Sequence, residues 1–194
     1  MTLVLLLLLF IQSPATVRGE IIDRIVAVVE GHIITLSDIR AERSMREVLG
    51  EPAPKDDREL LDELIDQHLV HPQLELFPEF GPTEGQLNSR LAEIEDRKGL
   101  SERSIRAALQ EHMRTQRFFD ERFRQFATAT PDEITKYYQD VFLPAAQARG
   151  LSPAPSLKEV EEAIRRNVIE EKVAKQVDAW LQQTRKTSKV EIVP

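Results

Sequence analysis

Near its start the chain carries a strand that cannot stand alone. Ile21 to Val29 is β-rich, with Ile22, Ile25, Val26, Val28 and Val29, and its apolar residues fall on both alternating faces. A strand of that kind needs neighbours on both sides. Glu30-Gly31 is a two-residue turn signal, because glycine takes φ > 0 without strain, so His32-Ile33-Ile34-Thr35 can return as a second strand. The remaining strand signal is Lys189-Val190-Glu191-Ile192-Val193 at the far end, which alternates apolar and charged residues as an edge strand does. Three short strands make one sheet only if the two ends of the mature chain meet, so everything between must fold back on itself.

What lies between reads as helix. Ser37 caps a helix to about Leu49, and Gly50-Glu51-Pro52-Ala53-Pro54 breaks it. A second helix starts near Asp56 with Leu60, Leu61, Leu64, Ile65, His68 and Leu69 on one face, and Pro72 is expected to kink or end it. Thr83-x-x-Gln86 is a capping box for a third helix carrying Leu87, Leu91 and Ile94, with Gly99 as its end. Ser101 opens a fourth, with Ile105, Leu109, Met113, Phe119, Phe123 and Phe126. Thr130-Pro131-Asp132-Glu133 is a capping box with proline at the first helical position, which starts a fifth. Ser156-x-x-Glu159 caps a long sixth, through Ile164, Val168, Val173, Val177 and Trp180 to about Lys186. Leu143 to Pro155, with three prolines and Gly150, reads as a linker. The expected fold class is therefore mainly α, with about six helices and a small three-stranded sheet from an N-terminal hairpin and the C-terminal strand.

Leu3 to Ile11 is an unbroken apolar run. Nine helical residues reach about 14 Å, well short of a hydrocarbon core of roughly 30 Å. The run suits the apolar region of a secretory signal, and Val17-Arg18-Gly19 places the cut after Gly19. Residues 1–19 are thus expected to be removed, leaving one domain over 20–194, exported to the periplasm and without stable membrane insertion after cleavage. The chain has no cysteine, which excludes a lipidated cysteine, disulfides, thiolate metal sites and a cysteine nucleophile. An exported chain without disulfides holds together by core burial, and 175 residues suffice for that. The formal charge is −7, and loss of Arg18 with the signal makes it −8. Such an acidic chain is a poor partner for nucleic acid or anionic lipid.

Several pieces, in order, resemble one family. Ile22-Asp23-Arg24-Ile25-Val26-Ala27-Val28-Val29-Glu30-Gly31-His32-Ile33-Ile34-Thr35-Leu36-Ser37-Asp38-Ile39 is similar to the opening of the SurA-type periplasmic chaperones and their parvulin-bearing relatives. Leu60-Leu61-Asp62-Glu63-Leu64-Ile65-Asp66 is similar to the family's next segment, and Thr130-Pro131-Asp132-Glu133-Ile134-x-x-Tyr137-Tyr138 resembles the helix that precedes its first parvulin domain. Trp180-Leu181 and Val190-Glu191-Ile192 resemble its closing helix and strand. The resemblance covers nearly all of the mature chain. It implies a helical peptide-binding domain of the SurA/trigger-factor type, in which the C-terminal strand pairs with the N-terminal hairpin. It also implies ATP-independent holding of unfolded outer-membrane proteins in transit. Two departures stand out. Where the family inserts its isomerase domain this chain has only Leu143 to Pro155, so isomerase activity is not carried over and no enzyme is expected. His71-Pro72 falls in a segment that is usually continuous helix.

A holding chaperone needs apolar surface that accepts many sequences, and aromatic faces suit that. Phe118, Phe119, Phe123 and Phe126, then Tyr137, Tyr138 and Phe142, sit on two consecutive helices and form the candidate peptide-binding set. Phe119, Phe123 and Phe126 share a helical face while Phe118 points elsewhere. Ordinary core packing accounts for most of these rings; the surplus, including Phe118 and one tyrosine, is expected to line a groove. Trp180 reads as core or hinge. His68 and His71, at i and i+3 near Asp66 and Glu75, have a spacing open to a metal but lack a further ligand nearby, so no metal or cofactor is expected. The expected partners are unfolded client polypeptides, and self-association is compatible with the sequence. The rival readings are a dedicated assembly factor with a single partner, and an isomerase. Client breadth separates the first rival from the chaperone; acceleration of an X-Pro peptide separates the second. Micromolar affinity, or about −8 kcal/mol, fits release without ATP.

Overall fold

The computed structural model describes residues 23–193, so the expected signal at 1–19 lies outside the described residues. The chain is mainly helical with one small antiparallel sheet, as its patterning predicts. Strands β1 (Ile25–Val29), β2 (His32–Thr35) and β3 (Val190–Ile192) take the order β2-β1-β3. The hairpin turns at Glu30 and Gly31, both at positive φ (49° and 87°), which matches the right-handed twist of the two strands. Val29 faces His32 on one side and Val190 on the other, and Val28 lies between Ile33 and Glu191. A shift in register between Ile25 and Ala27 is a bulge, and it lets the consecutive residues Val26 and Ala27 both be buried.

The helices are α1 (Leu36–Leu49), α2 (Asp57–Glu75), α3 (Glu84–Ala92), α4 (Glu102–Arg122), α5 (Pro131–Tyr137), α6 (Leu143–Ala148) and α7 (Leu157–Thr187). The expected capping boxes at Thr83, Thr130 and Ser156 all form. The first helix starts earlier than expected. Thr35, not Ser37, is its N-cap, because the side chain of Asp38 reaches back to the backbone N–H of Thr35 and completes a capping box. The third helix ends at Ala92, short of Gly99, which leaves Ile94 beyond it.

Of two proline-based expectations, that Pro72 kinks or ends its helix is narrowed, because it does not end it, and that of a linker from Leu143 is corrected. Helix α2 runs through Pro72 to Glu75. A proline inside a helix costs about 3 kcal/mol, but Val70 and Leu74 on either side of it are buried against Phe118, and that packing outweighs one missing hydrogen bond. The stretch from Leu143 is not all linker. Helix α6 continues α5 through a single π-turn at Tyr138–Phe142, with Ala146 buried. Pro144 stands directly after the π-turn, where the regular i to i−4 ladder is already interrupted, and alanine is the strongest helix former. Irregular chain is confined to the part after Gly150, which adopts φ 75° and ends the helix.

Four apolar clusters hold these elements together. The sheet packs on α2 through Val26, Ala27, Val29 and Ile34 against Leu60, Leu61, Leu64, Ile65 and Leu69. Val48 joins Leu87, Leu91, Ile105 and Leu109 to pack α1, α3 and α4 together. Phe118 sits with Val70 and Leu74, and Ile134 packs with Ile164 and Val168 of α7. Helix α7 spans 31 residues, about 46 Å, and so reaches from the α5 end of the molecule to the sheet. Arg185, near its end, donates to carboxylates of Asp62 and Asp66 on α2 and delivers β3 to the edge of β1.

Where α5 meets α7, Glu133 does two jobs. It accepts from the backbone N–H of Thr130 at 2.8 Å, closing the cap, and pairs with Lys172 of α7 at 2.6 Å. Lys172 above all, then the Thr130 N–H, lower its pKa from the ordinary 4.5 to about 2. A carboxylate whose folded pKa is lowered contributes stability above its unfolded pKa and loses it as pH falls through the folded one. The contribution is therefore present above about 4.5 and lost between about 4.5 and about 2. Glu133→Gln is expected to lower the urea midpoint near neutral pH, and the gap from the parent should close as pH falls through that window. A gap independent of pH would show that the Lys172 pair contributes nothing.

Candidate functional site

The seven aromatic residues read from the sequence divide between two places. Tyr137, Tyr138 and Phe142 pack, half-buried, on the α5–α7 cluster. Tyr138 and Phe142 stack at 5.6 Å, and the Tyr138 hydroxyl donates to the Pro155 carbonyl at 2.9 Å. These three rings brace α5 and α6 against α7.

The other four lie around the end of α4. Phe118 is not a groove residue: at 2% exposure it is the largest fully buried side chain of the described protein. Its ring centroid lies 6.1 Å from Phe77, 6.4 Å from Phe80, 5.6 Å from Phe119 and 5.8 Å from Trp180. Trp180 also meets Phe119 and Phe123, each at 6.1 Å, so it belongs to the core, one of the two roles expected of it. The expected common face of Phe119, Phe123 and Phe126 forms only in part: Phe119 and Phe123 lie 6.1 Å apart and both meet Trp180, while Phe126 leaves it. Helix α4 stops at Arg122, Phe123 leaves helical geometry, and Arg124–Phe126 is a separate 3-10 turn. That turn swings Phe126 away from its neighbours and leaves it 73% exposed.

The consequence is a cleft of about 380 Å³ bounded by Phe77, Phe80, Phe118, Arg122 and Phe126, with Glu121 and Gln125 at its rim. Its inner wall is fixed by the ring cluster and its outer wall by one exposed phenylalanine. The guanidinium of Arg122 stands over three rings, 5.9 Å from Phe118, 5.6 Å from Phe123 and 5.5 Å from Trp180. Cation–π attraction holds it there while its charge stays at the surface. Such a cleft receives an apolar or aromatic side chain and offers charge-assisted hydrogen bonds to a passing backbone carbonyl. Leu76, 68% exposed, adds apolar surface on the segment that supplies Phe77.

Sequence reading missed Phe77, Phe80 and Arg122. The signal was present in Phe77-Pro78-Glu79-Phe80, two aromatic residues flanking a proline directly after a helix, but periodicity passes over so short a turn. The His68–His71 pair gathers no metal set. Asp66 is held by Arg185, and among the described residues no group of His, Asp and Glu is arranged to hold an ion. Among the described residues, too, no helix is long and apolar enough to cross a membrane.

No protein-family model matches this chain, and no curated protein matches it significantly.

Proposed function

We propose that this protein is an ATP-independent periplasmic chaperone that holds unfolded or extended polypeptides, outer-membrane proteins in transit among them, and has no isomerase step of its own. The observation that carries the reading is Phe126, an exposed ring at the lip of a cleft whose back wall is a fixed cluster of aromatic side chains. Burying such a ring in the protein's own core was open to the chain, as it did with Phe118. Left outside beside a fixed aromatic wall, it offers apolar surface that a client side chain can cover. The cleft fits one side chain at a time, which agrees with weak, sequence-tolerant contacts along a client. The resemblance of the opening segment and of the closing helix and strand to SurA-type chaperones supports the same reading.

The test is suppression of aggregation by the mature chain against several unrelated unfolded β-barrel proteins. Protection of many clients is expected. Protection of one client alone would favour a dedicated assembly factor, and none would sink the reading. Phe126→Ser touches no core, so its urea midpoint should move by less than about 0.5 kcal/mol equivalent while client protection falls severalfold. Undiminished protection by that variant would remove the cleft from the mechanism.

A further inference from the structure

Strand β3 pairs with β1 on one side and lies at the edge of the sheet on the other. The Glu30 N–H donates to the Lys189 carbonyl and the Val193 N–H to the Val26 carbonyl, each at 2.9 Å. Bonded positions alternate along an antiparallel ladder, so Lys189, Glu191 and Val193 turn their backbone groups to β1. Val190 and Ile192 therefore turn their N–H and C=O groups outward, along the open edge. Side chains alternate as well. Lys189 and Glu191 share the outer face with their charges 3.4 Å apart, while Val190 and Ile192 stand opposite the buried Val29 and Ala27 on the core face. Ile192 and Val193 are 49% and 40% exposed, so the edge is apolar as well as unpaired. Ser188 is already extended, at φ −106° and ψ 154°, and the edge begins before β3 itself.

We propose that β3 pairs antiparallel with β3 of a second copy of this chain, joining two three-stranded sheets into one of six strands across a two-fold axis. Charge selects the occupant. Val190 and Ile192 must meet residues that also face outward, so the available registers differ by steps of two residues. With Val190 opposite Val190 of the second copy, Lys189 faces Glu191 and Glu191 faces Lys189, which makes two opposite-charge pairs about the axis. One step one way sets Lys189 against Lys189, and one step the other way sets Glu191 against Glu191. A further step sets Val190 against Pro194, which has no N–H to give.

Charged side chains ordinarily blunt an edge strand. Here their alternation rejects every register but one, and a strand of unrelated sequence lacks the matching charges. On the core face the same register joins the two Val190 side chains and places Ile192 of each copy on the diagonal. Glu30, the other charged group at this corner, accepts from the Lys189 N–H at 2.6 Å and belongs to the hairpin turn, away from the open edge.

The experiment is sedimentation equilibrium of the chain spanning 20–194, from about one micromolar to about one millimolar. A monomer–dimer equilibrium within that range is expected, weakened by salt because surface ion pairs are screened. Lys189→Glu and Glu191→Lys should each weaken association at least about tenfold. An equimolar mixture of those two variants should recover it, since each copy then supplies the charges that the other lacks. Ile192→Pro removes only an outward N–H, where an edge strand admits proline, so it should abolish association and keep the monomer's urea midpoint. An uncharged peptide of alternating Thr and Val, about six residues long, should leave the equilibrium unmoved. A parent that stays monomeric, a mixture no tighter than its components, association surviving Ile192→Pro, or a dimer dispersed by the uncharged peptide would each overturn the proposal. Should Ile192→Pro not fold, the mixture of charge variants decides alone.

Discussion

Replacing Phe118 by alanine should cost about 3–5 kcal/mol, a large share of the roughly 5–15 kcal/mol that holds a domain of this size together. Phe118 is 2% exposed and contacts α2, the turn that follows it, its own helix and α7. The alanine would leave a void that Phe77, Phe80, Phe119 and Trp180 cannot all collapse into, since they are held by three elements: the turn after α2, α4 itself and α7. Buried voids add to the lost transfer energy, so the effect falls at the upper end for an aromatic residue. Trp180 is the chain's single tryptophan, and its ring lies 5.8 Å from that of Phe118. A urea melt followed by its fluorescence therefore reads the site directly. A midpoint like that of the parent would mean the cluster repacks freely, and the fixed back wall of the cleft would have to be given up.

A chain ending at Lys189 should lose about 2–4 kcal/mol, far more than three strand residues imply by size. β3 pairs with β1 from Val29↔Val190 to Ala27↔Ile192, and Val193 donates to the Val26 carbonyl at 2.9 Å. Val26, Ala27 and Val29 are buried, so removing β3 bares an apolar edge and unsatisfied backbone groups together. The Arg185 contacts to Asp62 and Asp66 remain, which keeps α7 docked and the loss partial. The check is a denaturant melt of chains spanning 20–189 and 20–194, with light scattering for the exposed edge. Equal midpoints and a monodisperse truncated protein would show β3 to be a loose tail.

The candidate site was legible only in part, for a physical reason. A run of Phe and Tyr at helical spacing states that rings are present; it does not state which will be buried. Periodicity assigned Phe119, Phe123 and Phe126 to one face on the assumption that the helix continues, and α4 ends before Phe123. Which ring lies outside was decided by a helix terminus. Likewise Phe77 and Phe80 reach Phe118 because α2 carries through Pro72, against the local preference of the backbone.

Local chemistry determined what local forces control. The Glu30-Gly31 turn, the caps at Thr83, Thr130 and Ser156, and the apolar stripes of α2 and α7 follow from backbone sterics and side-chain reach over four or fewer residues, which a sequence states outright. Even the pairing of β3 with β1 followed from a strand with one partner too few. Tertiary structure alone decided the rest. Pro72 stays helical because buried neighbours on both sides outweigh a lost hydrogen bond. Leu143–Ala148 is helix because it continues α5 and buries Ala146. His32 stacks on His68, and His71 meets Glu111, because a strand and two helices, remote in sequence, pack side by side; no spacing along the chain encodes a distance across it.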